Sequence, residues 1–365
     1  MDAVSGSVLK QLSQLSLQEL DVCGGRHGEV QVLQGLCGLP FSAAAQVGEA
    51  VRGGHLGALP LCPLRESLRR LTISLPGLPS AMYQVFLAVF HNLHHYAPPS
   101  GAMSCVSGYA RMTRPPAAPN PLSLLSLNLG RASLHEIREM AKVCPALRDV
   151  SLSIELDCEG TLNSLRACER LSGVQLSYYP PSVSAQPKVE GSVLLPLLEF
   201  LGPRLVGLGL TGFNMRGSVM AALAGLPELR RLTLTDSWFA CPNVTPCQPF
   251  PSLDTLVLNF LPPVDTLRLL TAGSCLQSLD INVAASEARG NCLSDAGVRQ
   301  LVHSRAIGSI HSFSSSSPFL TVASLRHLAA LPRLRSVGCL ARWSLTQEEL
   351  RCVGHSGPPH LLCRP

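Results

Sequence analysis

Cys352, His355, His360 and Cys363 stand at Cys-x2-His-x4-His-x2-Cys spacing, an arrangement of thiol and imidazole ligands that tetrahedral zinc accepts. The surrounding pattern argues for another role, because it places Cys352 on a helix and Cys363 in the following strand, where core thiols belong. His91, His94 and His95 close an apolar, helix-like run and read as a solvated helix end rather than a ligand set. Serine, histidine and aspartate are all present, but no nucleophile-elbow motif and no glycine-rich phosphate loop accompanies them. Asp21 and Asp280 fall at strand positions without a paired carboxylate for acid–base work. The residues therefore point to no catalytic site, no resident metal and no cofactor.

The elements that would position any site follow from a repeat. Apolar-x-x-apolar-x-apolar recurs as Leu17/Leu20/Val22, Leu68/Leu71/Ile73, Leu122/Leu125/Leu127, Leu147/Val150/Leu152 and Leu171/Val174/Leu176. It continues as Leu205/Leu208/Leu210, Leu229/Leu232/Leu234, Leu253/Leu256/Leu258 and Leu276/Leu279/Ile281, with weaker copies at Ile307/Ile310, Leu334/Val337 and Leu361. With the first two intervals taken as double steps, the period is about 26 residues, inside the leucine-rich-repeat range. Pro145, Pro203, Pro227, Pro251, Pro332 and Pro359 each precede the first apolar position by two residues and mark the step from helix to strand. Ser133 with Glu136, and Thr346 with Glu349, have capping-box spacing at helix starts. Each unit reads as strand, turn, helix and return. The expected fold is α/β, a leucine-rich-repeat solenoid with a curved parallel sheet on the concave face and helices on the convex face.

The segment Val143-Cys144-Pro145-Ala-Leu147-Arg-Asp-Val150-Ser-Leu152 resembles the cysteine-containing leucine-rich repeat, and Cys168-Glu-Arg-Leu171 keeps its Cys. Leu293-Ser-Asp-Ala-Gly-Val298-Arg-Gln-Leu301 resembles the helix start of the same repeat, and Leu345-Thr-Gln-Glu-Glu-Leu350 is a looser copy. This subtype is similar to the repeats of F-box/leucine-rich-repeat proteins, which select substrates for cullin-type ubiquitin ligases. The resemblance implies a non-catalytic, F-box-like substrate-recognition module. Docking to a cullin adaptor would run through an F-box not present in this chain. An adaptor or inhibitor scaffold unrelated to ubiquitin is the alternative.

The organisation expected is one solenoid over 1–365, with irregular N-terminal repeats in 1–75, a helix plus a Pro-rich insertion in 76–121, and regular repeats in 122–365. Because the chain begins inside one unit and stops just after Leu361 opens another, further sequence or a covering partner is expected at the ends. Insertions at Tyr178 to Gly191, Ser237 to Pro249, Val283 to Cys292 and Phe313 to Ser317 come after strands and should share one rim. Residues flanking the second and third apolar positions should face away from the core, by the alternation of strand side chains. They include Arg70, Arg231, Asn259, Asp280 and Asn282, and their set is small, polar and nearly neutral. Such a face suits a protein partner. It lacks the cationic stripe a nucleic acid requires, and the net charge of the chain is only +5. Trp238 and Phe239, with Tyr178 and Tyr179, are the candidate aromatic anchors on the rim.

No apolar run is long and uninterrupted enough to span a bilayer, so no membrane association is expected. The first 20 residues contain no signal-like apolar core, and the 14 Cys are too dilute for a disulfide scaffold. A cytoplasmic location is expected, with a nuclear one equally compatible with reduced thiols.

Overall fold

The computed structural model describes residues 16–23, 64–74, 80–98, 105–113, 121–154, 159–178, 189–240, 250–262, 264–271, 273, 275–282, 292–303, 307–349 and 362–363. They belong to two compact units, Met1–Gly173 and Val174–Pro365. Each has an α/β fold in which short parallel strands alternate with helices.

In the first unit, β1 (Glu19–Cys23), β2 (Arg70–Ser74), β3 (His95–Ala97), β4 (Ser126–Arg131) and β5 (Asp149–Ile154) lie side by side in sequence order. The helices are α1 (Leu64–Ser67), α2 (Ser80–Val89), α3 (Cys105–Thr113), α4 (Leu134–Val143) and α5 (Glu159–Ser164), and α2, α3, α4 and α5 pack successively against one another. In the second unit the strand order is β6 (Gly173–Tyr178), β8 (Gly207–Thr211), β10 (Arg231–Thr235), β12 (Thr255–Asn259), β13 (Ser278–Ile281), β14 (Ser312–Ser315), β15 (Ser336–Gly338) and β16 (Leu362–Cys363). A smaller parallel sheet joins β7 (Val189–Glu190), β9 (Phe213–Arg216) and β11 (Trp238–Ala240), in the order β11-β9-β7. Its helices are α6 (Leu195–Leu201), α7 (Gly217–Ala224), α8 (Val264–Thr271), α9 (Asp295–His303) and α10 (Val322–Ala329).

The leucine columns are real. Leu232 is opposite Leu208 on one side and Leu256 on the other, and Leu234 likewise faces Leu210 and Leu258. All six are 4 % exposed or less. One unit cannot bury such an edge alone, whereas adjacent parallel strands turn it into a continuous core worth about 1.5–3 kcal/mol per leucine. Helix residues of the same unit, such as Val219, Met220 and Leu223 of α7, are buried as well.

A hydrogen-bond pattern repeats with the leucines. The carbonyl of Val206 accepts the amides of Arg230 and Arg231, the carbonyl of Arg230 those of Asp254 and Thr255, and the carbonyl of Asp254 those of Gln277 and Ser278. The same step occurs in the first unit at Arg69, His94 and Leu125. Just upstream, the first apolar residue donates its amide to the carbonyl three residues earlier: Leu147 to Cys144, Leu171 to Cys168, Leu334 to Leu331. Pro145, Pro227 and Pro332 occupy the turns so formed. The Cys-x-x-Leu spacing is thus a one-turn connection with its cysteine side chain packed inward, Cys144 at 2 % and Cys168 at 5 % exposure.

Three registers differ from those read in the sequence. The copy read as Leu122/Leu125/Leu127 is Leu124/Leu127/Leu129, because Leu127 aligns with Val150 and a bulge between Asn128 and Gly130 displaces the remainder of the strand. Gly130 takes φ +58° there, a conformation that suits glycine. The copy read as Ile307/Ile310 is Ile310/Phe313/Ser315, since Phe313 faces Leu279 and Val337. Phe313 to Ser315 is therefore strand rather than insertion. At the last strand Cys363 faces Val337, so Leu361 falls one residue beyond the first apolar position of that copy.

The structure also supplies the copy that was missing between Leu71 and Leu127. Leu93, Tyr96 and Pro98 are all buried, and Tyr96 sits between Leu71 and Leu127. Its hydroxyl donates to the carbonyl of Tyr83 at 3.3 Å, which is how a tyrosine occupies a leucine column. His95 accordingly lies in a strand, not at a helix end.

Candidate functional site

On the sheet side away from the buried columns, the first unit carries Glu19, Arg70, His95, Ser126 and Asp149 at one register position of five neighbouring strands. A second row, Asp21, Thr72, Ala97, Asn128 and Ser151, runs beside it. His95 Nδ1 lies 2.9 Å from Ser126 Oγ. Burial of the imidazole, aided by the Arg70 guanidinium, lowers its pKa against the opposing pull of Asp149 and Glu19. A serine, a histidine and an aspartate thus occur in one row, but in the order imidazole, hydroxyl, carboxylate. Triad chemistry needs the imidazole between the other two. Gly173, with no Cβ, makes room for the Asp149 carboxylate. The row is polar and carries charges of both signs.

The second unit presents a quieter face. Gly207, Arg231, Thr255, Ser278, Ser312 and Ser336 form one row; Gly209, Thr233, Val257, Asp280, Ser314 and Gly338 form the next. Several of these side chains engage one another: Ser336 Oγ donates to Ser312 Oγ at 3.0 Å, Asn259 Nδ2 to Thr235 Oγ1 at 2.8 Å, and Ser314 Oγ to Cys339 Sγ at 3.4 Å. Gln175 lies over Gly209, where a Cβ would come within 3.0 Å of it. Beyond the strand ends, the small sheet is tied by Glu190, which accepts from Asn214 Nδ2 at 2.9 Å and pairs with Arg216 at 2.8 Å.

Among the residues proposed from sequence, Arg70 and Arg231 are exposed on these faces, and Asn259, Asp280 and Asn282 are half-buried on them. Phe239 is half-buried and stacks on Phe260, with centroids 5.7 Å apart and planes 20° from parallel. Trp238 belongs to β11, its side chain lying outside the described residues, as does all of Tyr179. Tyr178 is corrected: at 4 % exposure it packs inward and offers no outward anchor. Cys352, His355 and His360 lie outside the described residues, and Cys363 is in β16. Among the described residues no group of three His, Cys, Asp or Glu side chains is arranged to hold a metal.

Glu19, His95, Ser126 and Phe260 were missed. His95 follows from the missing strand, whose apolar spacing Leu93, Tyr96, Pro98 stood in the sequence, while Ser126 faces outward in either register because a two-residue shift keeps its side. Phe260 follows Asn259 directly at the end of β12, and an aromatic residue just past a strand was the available signal.

An apolar groove of about 550 Å³ lies between α8 and α9, walled by Leu261, Pro262, Leu267, Leu293 and Leu301, with Arg299 and His303 at its edge. His303 Nδ1 is engaged 2.7 Å from the carbonyl of Arg299. Cys292 and Ser294 also line the groove.

No family model matches the chain, and no curated protein matches it. Among the described residues, no helix is long and apolar enough to cross a membrane.

Proposed function

We propose that the chain is a leucine-rich-repeat solenoid of the cysteine-containing type that acts as a non-catalytic protein-recognition module, its concave sheet face being the contact surface. One observation carries this reading: outward strand positions are small and polar, while every second residue is committed to the core. The strands β10 and β12 show it most plainly, with Thr233 and Thr255 partly open beside leucines that are nearly fully buried. Open β surfaces of this kind offer broad contact area without the enclosed, water-excluding pocket that chemistry on a small substrate requires. The mixed charges of the first unit and the neutral second unit favour a polypeptide partner over nucleic acid.

The test is affinity purification of the full chain from cells beside an Arg70→Glu/Arg231→Glu variant of unchanged melting temperature. Partners captured by the parent and lost by the variant support the reading; an identical set, or none, overturns it. The ubiquitin-ligase role is the more specific part of the proposal. It predicts that a cullin adaptor co-purifies with the longest product of the gene, and its absence would leave an adaptor or inhibitor scaffold.

A further inference from the structure

Two charges on the outward face of the second unit have no counterpart among the described residues. Arg231 is exposed and makes no side-chain hydrogen bond or ion pair. Its neighbours at the same register are Gly207, which has no side chain to cover it, and Thr255, whose hydroxyl donates instead to Asp254 Oδ1 at 2.7 Å. Asp280, on β13, has one carboxylate oxygen shut off from solvent and without a hydrogen-bond partner. The donors that could have reached it are turned away: Ser314, directly opposite, donates to Cys339, and Asn259 donates to Thr235. Its other register neighbour is Val257, which can donate nothing. The half-buried Asp280 carboxylate thus has no donor inside the fold to offset its charge, and a cation arriving on the face would do so.

The spacing of the two groups defines that partner. Arg231 and Asp280 are two strands apart and two residues offset along the strands, a Cα separation of about 12 Å from strand spacing and rise. An extended chain advances roughly 3.3 Å per residue and turns alternate side chains to the same side, so positions i and i+4 span about 13 Å on one face. Between them, position i+2 would fall over β12 between Thr255 and Val257, the latter being the one apolar residue other than glycine on the outward rows of β8 to β15 among the described residues.

Resting on the recognition reading above, we infer that this face binds an extended peptide of the form acidic-x-apolar-x-basic. Its acidic side chain meets Arg231, its apolar side chain covers Val257, and its basic side chain pairs with the Asp280 carboxylate. Opposite charges at fixed spacing set both the register and the direction of the bound segment.

The experiment is selection of random dodecapeptides displayed on phage against the full-length chain. Synthetic copies of the enriched peptides are then titrated by fluorescence polarisation against the parent, Arg231→Glu, Asp280→Lys and the double variant. Enriched sequences should share the acidic-x-apolar-x-basic pattern, and each single reversal should weaken binding roughly tenfold or more. The double variant should recover affinity for the peptide with its two charges exchanged. Should a reversal lower the melting temperature, Asp280→Asn and Arg231→Gln, which keep shape, carry the same comparison. Peptides that bind equally well to all variants, or an exchanged peptide that gains nothing from the double variant, overturn this contact while leaving protein recognition standing. Failure to enrich any sequence likewise overturns this contact, while the recognition reading stands or falls by co-purification.

Discussion

The carboxylate of Glu136, on α4, accepts the amides of Val106 at 2.6 Å and Ser107 at 3.2 Å, so it caps the first turn of the neighbouring helix α3. Glu136 is only 2 % exposed. Those amides are among the four that a helix start leaves unpaired, and the carboxylate also lies at the positive end of the helix dipole. Glu136→Ala should therefore cost about 2–4 kcal/mol, the loss of a cap plus two buried donors left unpaired. Glu136→Gln, which keeps one acceptor oxygen, should cost less. Urea denaturation of both variants checks the order, and equal losses would show that packing rather than capping sets the effect.

The leucine columns make a second, simpler prediction. Leu232 is fully buried between Leu208 and Leu256, with strand partners on both sides that cannot close over a void. Leu232→Ala should lower stability by about 2–5 kcal/mol, and Leu232→Ser by more because its hydroxyl would be buried as well. Thermal melts measure this, and an unchanged melting temperature for Leu232→Ser would refute the packing described.

Why some of this was legible and some not can be traced to the same residues. Leucines at a fixed period announce parallel neighbouring strands because only leucine-sized side chains fill the column, and Leu208, Leu232 and Leu256 align as their spacing demands. Where the column is filled by Tyr96 or Phe313, the pattern disappears from a leucine count although the geometry persists. In Leu122-Ser-Leu124-Leu125-Ser-Leu127-Asn-Leu129 two registers fit equally well, and a bulge decides between them. Capping shows the same division. Thr346 and Glu349 form the reciprocal box their spacing implies, with Thr346 N–H donating to Glu349 at 2.8 Å and Glu349 N–H to Thr346 at 3.2 Å. Ser133 caps Glu136 at 3.2 Å as expected, but the Glu136 carboxylate turns to α3, a partner thirty residues away that local spacing cannot reveal. The outward face was legible wherever the strand was. Asp280 could be placed on it, but not the loss of its hydrogen-bond partners, which depends on where Ser314 and Asn259 turn.

Buried cysteines should be chemically silent. Burial pushes the Cys144 thiol well above its ordinary range, with Cys168 and Cys105 nearby adding to it, and burial followed by Glu136 does the same for Cys105. Cys275 is exposed. Iodoacetamide at pH 8 should alkylate Cys275 in the native protein and leave Cys105, Cys144 and Cys168 unmodified until denaturant is added. Peptide mass spectrometry reads the pattern, and native alkylation of Cys144 at the rate of Cys275 would contradict the inward packing of the Cys-Pro-x-Leu turn.

Asp295, the aspartate of the Leu293-Ser-Asp-Ala-Gly segment, links the start of α9 to the start of α10. Its carboxylate accepts the Thr321 amide at 3.0 Å, the Thr321 hydroxyl at 2.6 Å and the Ser324 hydroxyl. Thr321 in turn caps α10 by accepting the Ala323 amide at 3.1 Å. Burial alone would raise the pKa of Asp295, but the hydrogen bonds from Ser324 and Thr321 outweigh it and hold the carboxyl below the ordinary carboxylate range. The folded state therefore binds this proton more weakly than the unfolded chain. The stabilisation it brings is present above the unfolded value, near pH ~3.9, and is lost as pH falls through the lower folded value. Asp295→Asn removes the charge at every pH, so its destabilisation relative to the parent should hold steady from pH 7 to pH 5 and shrink below about pH 4. Urea midpoints across that range measure the difference. A gap that stays constant to pH 2.5 would mean that the carboxylate is not the group linking the two helix starts.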